Sequence, residues 1–293
     1  MNRVGIYYAF WEREWAADFR PYVKKVKALG FDTLEIAAGA LPDMTAADRR
    51  ALRDEAEAEG IQLTCCMGLD PAHDVSSADE AVRREGIRYV GEVLDCIREI
   101  GSHVFSGINY AYWPMQGAPD YDGKMAARER SLRSLREILG RAEQYGIAYC
   151  LEIVNRFEQC ILNTAAEGVD YLRELDHPSA KLLLDTFHMN IEEDSFADAI
   201  RTAKGLLGHF HIGECNRKTP GTGRMPWDEI FAALRETGYD GTVVMEPFIK
   251  MGGQVGRDIR MYRDVSAGAD AAEMDRLAAA SAAFVKNGLR TAG

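Results

Sequence analysis

Histidine is scarce in this sequence, six in 293 residues, and its six cysteines (65, 66, 96, 150, 160 and 215) include no C-x-x-C spacing. A disulfide framework or zinc knuckle is therefore not expected. Most of the thiols fall in apolar runs, where a reduced cysteine packs as a small hydrophobe. Cations are outnumbered, 35 Lys and Arg against 46 Asp and Glu, for a formal net charge of −11. Nucleic acids and anionic membranes need clustered cations to replace counterions, so neither is expected as a partner, and a small neutral substrate fits better. Nowhere do about 18 uncharged apolar residues follow one another. Glu12, Arg13 and Glu14 interrupt the N-terminal stretch before it reaches signal-peptide length. The expected location is the cytoplasm. No linker rich in Pro, Gly or Ser divides the chain.

What the sequence does contain is a regular alternation of short apolar runs and amphipathic stretches. The strand expectations are 4–10, 33–38, 62–68, 103–108, 148–154, 180–186, 208–214 and 242–248. Between them lie helical patterns such as PYVKKVKALG, AADRRALRDEAEAEG and RSLRSLREILGRAEQYG, each closed by a glycine suited to a helix C-terminus. Eight βα units predict an α/β fold, a (β/α)8 TIM barrel, with residues 1–293 as a single domain. An open doubly wound sheet is the structural alternative.

Barrel enzymes carry their chemistry at the C-terminal ends of the strands. Glu152 ends CLEIV, Asp185 ends LLLDT, His211 lies late in HFHIGE and Glu246 ends VVMEP. Successive members stand about one βα unit, roughly 30 residues, apart. Alternation puts Cys150 with Glu152, Leu183 with Asp185, His209 with His211, and Val244 with Glu246, so all four polar residues can face the barrel axis. A lone strand-end carboxylate is more often a helix cap or loop hydrogen-bonder. Four in register point instead to a metal site, because clustered carboxylates raise one another's pKa unless a cation neutralises them. Three oxygen ligands and one imidazole suit Mn²⁺, Mg²⁺ or Co²⁺.

Glu152 and Glu246 stand on strands three apart, so their carboxylates approach a bound substrate from nearly opposite sides, the geometry of inversion at carbon. A divalent ion there would act as a Lewis acid on the C2 carbonyl and C3 hydroxyl of a ketose, making the C3 proton more acidic. One Glu would then remove that proton and the other return one to the opposite face. Glu158, His188 and Arg217 follow strands five, six and seven and can meet sugar hydroxyls, although Glu158 also reads as a surface carboxylate and Arg217 as a solvated charge beside Lys218. Tyr7, Phe10, Trp15 and the stretch from Tyr110 to Trp113 can wall the pocket or simply fill a core or dimer interface. Cys66 ends strand three without a nearby activating partner and reads as pocket lining rather than a nucleophile.

Taken together, GIYYAFWEREW, LEIVNRFEQ, LLLDTFHMNIEEDS, GHFHIGECNRKTPGTGRMPW and VVMEPFIKMGG resemble the D-tagatose 3-epimerase and D-psicose (D-allulose) 3-epimerase family over nearly the whole chain. The resemblance implies a (β/α)8 barrel, Mn²⁺ or Co²⁺ held by Glu152, Asp185, His211 and Glu246, and a homodimer or homotetramer. It also implies that Glu152 and Glu246 are the acid–base pair and that Glu158, His188 and Arg217 hold the substrate. Cys66 stands where psicose-preferring members tend to have Gly, and FSGIN replaces a Gly-Gly-Ala type run. Both departures look more like the tagatose branch and place Cys66 and Ile108 near the far end of the sugar. Tyr262 replaces the family's usual Trp.

Three rivals remain at this stage. An aldose–ketose isomerase would use the same metal and enediolate, although two opposed Glu residues favour epimerisation. A metal-dependent DNA-repair endonuclease on this barrel wants more His ligands and a basic face. A non-catalytic sugar-binding barrel predicts a broken ligand set, and here the set is intact.

Overall fold

The structure, a computed structural model, describes residues 2–117 and 119–290. Eight strands form a closed parallel barrel in sequence order, with β8 returning to β1. The strands are β1 (Val4–Tyr7), β2 (Thr33–Ala37), β3 (Gln62–Cys66), β4 (Val104–Gly107), β5 (Ala148–Ile153), β6 (Ala180–Asp185), β7 (Leu207–Ile212) and β8 (Val243–Met245). All eight expected strands are present, each of them shorter than the apolar run that signalled it. The residues just past the strand ends turn into the loops that build the pocket, as where Tyr8–Phe10 form a 3₁₀ turn.

The helices are α1 (Arg20–Ala28), α2 (Ala46–Glu59), α3 (Glu80–Glu99), α4 (Tyr121–Tyr145), α5 (Ala165–Leu175), α6 (Thr186–Glu192), α7 (Phe196–Thr202), α8 (Trp227–Thr237), α9 (Gly253–Asp258) and α10 (Ala271–Arg290). Sequence chemistry sets their ends. Thr45 caps α2 by accepting from the Asp48 amide, and Gly60 ends it at φ 67°. Asp120 and Gly146 (φ 63°) do the same for α4. In both cases a short polar side chain satisfies an orphan amide, and glycine takes the left-handed turn at no steric cost. Among the described residues no helix is long and apolar enough to cross a membrane.

One irregularity decides which way the seventh strand points its side chains. Leu182 pairs with Leu207 but Leu183 pairs with His209, so Gly208 is an extra residue on β7. A one-residue shift in a strand exchanges its two faces. The bulge therefore turns His209 and His211 inward, where His211 is level with Asp185. Only glycine fits, because a Cβ on residue 208 would lie 2.6 Å from Lys181 Cβ and 2.9 Å from Cys150 Sγ.

Gly208→Val is thus expected to destabilise the fold by roughly 1–3 kcal/mol, the usual cost of overpacking. Urea unfolding checks this, and an unchanged midpoint would show that β7 accommodates the side chain without shifting.

Candidate active site

The strand ends bring the four expected ligands together. One donor atom from each of Glu152, Asp185, His211 and Glu246 lies within 4.8 Å of all the others, and all four residues are buried. Glu152 is the penultimate residue of β5, and Asp185 closes β6, where its carboxylate also accepts from the Phe187 amide at 2.9 Å and so starts α6. Glu246 lies one residue beyond β8 and continues the ladder by donating its amide to the Ile212 carbonyl at 3.0 Å.

These residues fit a divalent cation. His211 Nδ1 is buried with no hydrogen-bond partner. It faces Glu246 Oε1 at 3.6 Å and Glu152 Oε1 at 4.0 Å. A buried imidazole nitrogen with no partner, aimed at two carboxylates, is what a metal ligand looks like without its ion. Burial, and then the neighbouring charge of Glu246, push the Glu152 carboxyl well above the usual range. A cation would relieve both effects.

Arg217 supplies a positive charge of its own. Its Nη1 donates to Asp185 Oδ2 at 2.7 Å and to Glu246 Oε2 at 2.9 Å. Burial alone would raise Asp185, but Arg217, with His188 and His211, holds its carboxyl below the ordinary value. The guanidinium lies 3.9 Å from the Phe187 ring centroid and 5.4 Å from that of Phe248. Arg217 is therefore a buried cation paired through Nη1, and its reading as a solvated charge is corrected: the turn carries it inward at φ 63°. Glu214 holds that turn, taking the Gly221 amide and Trp227 Nε1 on one oxygen and the Arg224 and Met225 amides on the other.

His188 is oriented by its neighbour. Asn155 Oδ1 accepts from the Phe157 amide, so Asn155 Nδ2 faces His188 Nδ1 at 2.8 Å, and the Asn155 amide donates to the same nitrogen at 3.2 Å. Two donors meet Nδ1, while Nε2 lies 3.6 Å from Glu152 Oε1 and 3.3 Å from the Arg217 Nη2 donor, so the ring is held from both sides. Glu158 is fixed from two sides, accepting from Trp113 Nε1 at 2.8 Å and from Asn155 Nδ2 at 3.0 Å. This network makes Glu158 a held pocket residue rather than a free surface carboxylate.

Above the cluster opens a cavity of about 310 Å³, lined by Tyr7, Cys66, Trp113, Glu152, Glu158, His188, Arg217 and Glu246, with Trp15, Ile108 and Phe248 among its walls. That is the small end of ligand pockets. Trp15 contacts Tyr7, Trp113 and Phe248, with ring centroids 6.3–6.4 Å apart. Gly68 leaves room for Trp113, since a Cβ there would come within 2.8 Å of the indole. Burial pushes the Cys66 thiol well up, in keeping with a lining role.

Other expected wall residues lie elsewhere. Phe10 is buried against Trp11. Tyr110 is core and donates its hydroxyl to the Glu152 carbonyl at 2.9 Å. Tyr112 borders a separate hollow beside α4. Tyr262, which stands where the family usually has Trp, is not one of the expected wall residues and is 80% exposed. Sequence reasoning missed Asn155, Glu214 and Glu35. Glu35 had a visible signal, a lone charge inside the apolar run TLEIAA. All six cysteines are free.

Comparisons with known proteins agree with this geometry. Residues 23–265 match the family model of the xylose isomerase-like TIM barrels. The chain is 48% identical over 280 residues to the D-psicose 3-epimerase of Ruminiclostridium cellulolyticum, covering 96% of this chain and 95% of that protein. It is 46% identical to the D-psicose 3-epimerase of Agrobacterium fabrum, covering 96% of each. The crystal structure of a D-psicose 3-epimerase with D-tagatose from Clostridium cellulolyticum H10 superimposes with a TM-score of 0.96 at 46% identity, covering 99% of this chain and 100% of that one. The chain accordingly belongs to the ketose 3-epimerases of the xylose isomerase-like TIM barrel family.

Proposed function

We propose that this enzyme interconverts the C3 epimers of free ketohexoses, D-fructose with D-psicose and D-tagatose with D-sorbose. One observation carries the reading: two buried carboxylates, Glu152 on β5 and Glu246 after β8, border a single cavity and share one ligand cluster. Glu152, Asp185, His211 and Glu246 would hold the ion, Mn²⁺ best matching three carboxylates and an imidazole, with Co²⁺ or Mg²⁺ as substitutes. Once bound, it supplies Lewis-acid polarisation of the substrate oxygens at C2 and C3.

The remaining chemistry belongs to the side chains. One of the two Glu carboxylates takes the proton from C3, and the C–H electron pair moves into a C2–C3 double bond to give a cis-enediolate. The other, protonated, Glu returns a proton to C3 from the opposite face, and the roles exchange with the direction of reaction. His188 and the Arg217 guanidinium face the substrate oxygens as negative charge develops. Glu158 accepts from sugar hydroxyls, and Tyr7, Trp113 and Cys66 exclude water from the intermediate. Cys66 and Ile108 meet the distal carbons, which supports some use of D-tagatose, whereas the relatives above are named for D-psicose. Six unpaired thiols support a cytoplasmic location. We take the enzyme to be a homodimer or homotetramer, for which the exposed Phe157 ring offers apolar surface.

Metal-stripped protein incubated with D-fructose or D-tagatose is expected to yield D-psicose or D-sorbose only after Mn²⁺ is added. Chromatography identifies the products, and aldoses instead would move the assignment to a 1,2-isomerase. Glu152→Gln and Glu246→Gln should each lower turnover by roughly 10²–10⁴ while sugar binding persists. Substantial turnover in either variant removes the two-base mechanism. Trp113→Phe frees one oxygen of Glu158 and should raise KM roughly tenfold, the worth of a hydrogen bond to a charged group. A steady-state assay showing KM unchanged would leave Trp113 as wall only.

A further inference from the structure

Beneath the ligand cluster sits a carboxylate that the mechanism does not use. Glu35 on β2 is wholly buried and is not among the cavity's lining residues. Its Oε2 accepts from Thr64 Oγ1 at 2.9 Å and meets His209 Nε2 at 2.7 Å. Its Oε1 lies 2.7 Å from His211 Nε2, close enough to require a hydrogen between them although the angle falls short of a hydrogen bond, and neither atom has any other partner. Burying a carboxylate costs several kcal/mol unless it is well paired, so an apolar residue would serve a purely structural strand better. Glu35 spans from the second strand to the seventh, across the barrel interior, to reach the two inward histidines.

The consequence is for His211. A carboxylate only accepts, so the hydrogen of the imidazole lies on Nε2, toward Glu35. That leaves the lone pair on Nδ1, the nitrogen facing Glu152 and Glu246. The opposite tautomer would aim an N–H at the cluster and could not bind a cation. The geometry points to Glu35 as a positioning residue that fixes the ring orientation and tautomer of His211 as the imidazole ligand, with Thr64 and His209 holding Glu35 in place. Carboxylate partners of this type also raise the basicity of the imidazole, and their loss typically costs 10–100-fold in metal affinity. This inference rests on the metal reading above.

Calorimetric titration of the metal-stripped enzyme with Mn²⁺ tests it. The unaltered enzyme is expected to bind, Asp185→Asn to lose binding, and Glu35→Gln to bind roughly 10–100-fold more weakly while its metal-free circular dichroism spectrum stays unchanged. The visible spectrum of the Co²⁺-loaded Glu35→Gln protein should also shift, because the imidazole ligand field changes. A folded Glu35→Gln protein binding Mn²⁺ within twofold of the unaltered enzyme overturns the inference. Should that variant not fold, Glu35→Asp decides by the same criterion, since it keeps the charge but is one methylene too short to reach both imidazoles. No Mn²⁺ binding by the unaltered enzyme removes the metal reading and this inference together. Normal binding there, lost in Asp185→Asn and intact in Glu35→Gln, removes only this inference.

Discussion

Three carboxylates, Glu152, Asp185 and Glu246, are held out of water within a few ångströms of one another, and the rest of the site answers to that concentration of negative charge. Like charges in a medium of low dielectric repel strongly, so the arrangement persists only where positive charge or protons are supplied. Arg217 supplies part of it by bridging Asp185 and Glu246. His211 supplies more, and a bound cation would supply the rest. A neutral pocket of the same shape would be simpler to fold but would have no means of stabilising an enediolate.

The barrel tolerates this because its frame is fixed by interactions that do not depend on the site. The strands pair in a closed ring with no exposed edge, and the inward layers below the cluster are filled by side chains such as Cys150 and Leu183. On that frame each loop has one task. The loop after β5 presents Glu158, the turn after β7 presents Arg217, and the segment after β4 brings Trp113 over the cavity. Held hydrogen bonds fix each of these groups before a substrate arrives, so little ordering remains to be done in the transition state.

The chain also shows how support is layered. The pocket residues are braced by a polar shell, Asn155 behind His188, Trp113 behind Glu158, Glu214 behind the Arg217 turn and Glu35 behind His211. Each brace selects one orientation of the side chain it touches, and the first three do so by hydrogen bonds to groups that burial would otherwise leave without a partner.

The sequence by itself determined the eight βα units, because periodicity and glycine-closed helices are local properties, and it determined which four residues meet at the strand ends, because similar spacing along a repeating fold puts residues at equivalent heights. What tertiary structure alone decided was contact across distance. Glu35 and His209 are separated by 174 residues and meet only when the barrel closes. Gly208 looks like any strand glycine until the register on β6 shows it to be the bulge that turns His211 inward. Tyr110 and Trp113 are equally aromatic neighbours in sequence, yet one lies in the core and the other over the substrate cavity. Alternation along a single strand cannot carry such information, since which face is inward depends on the neighbours to which that strand bonds.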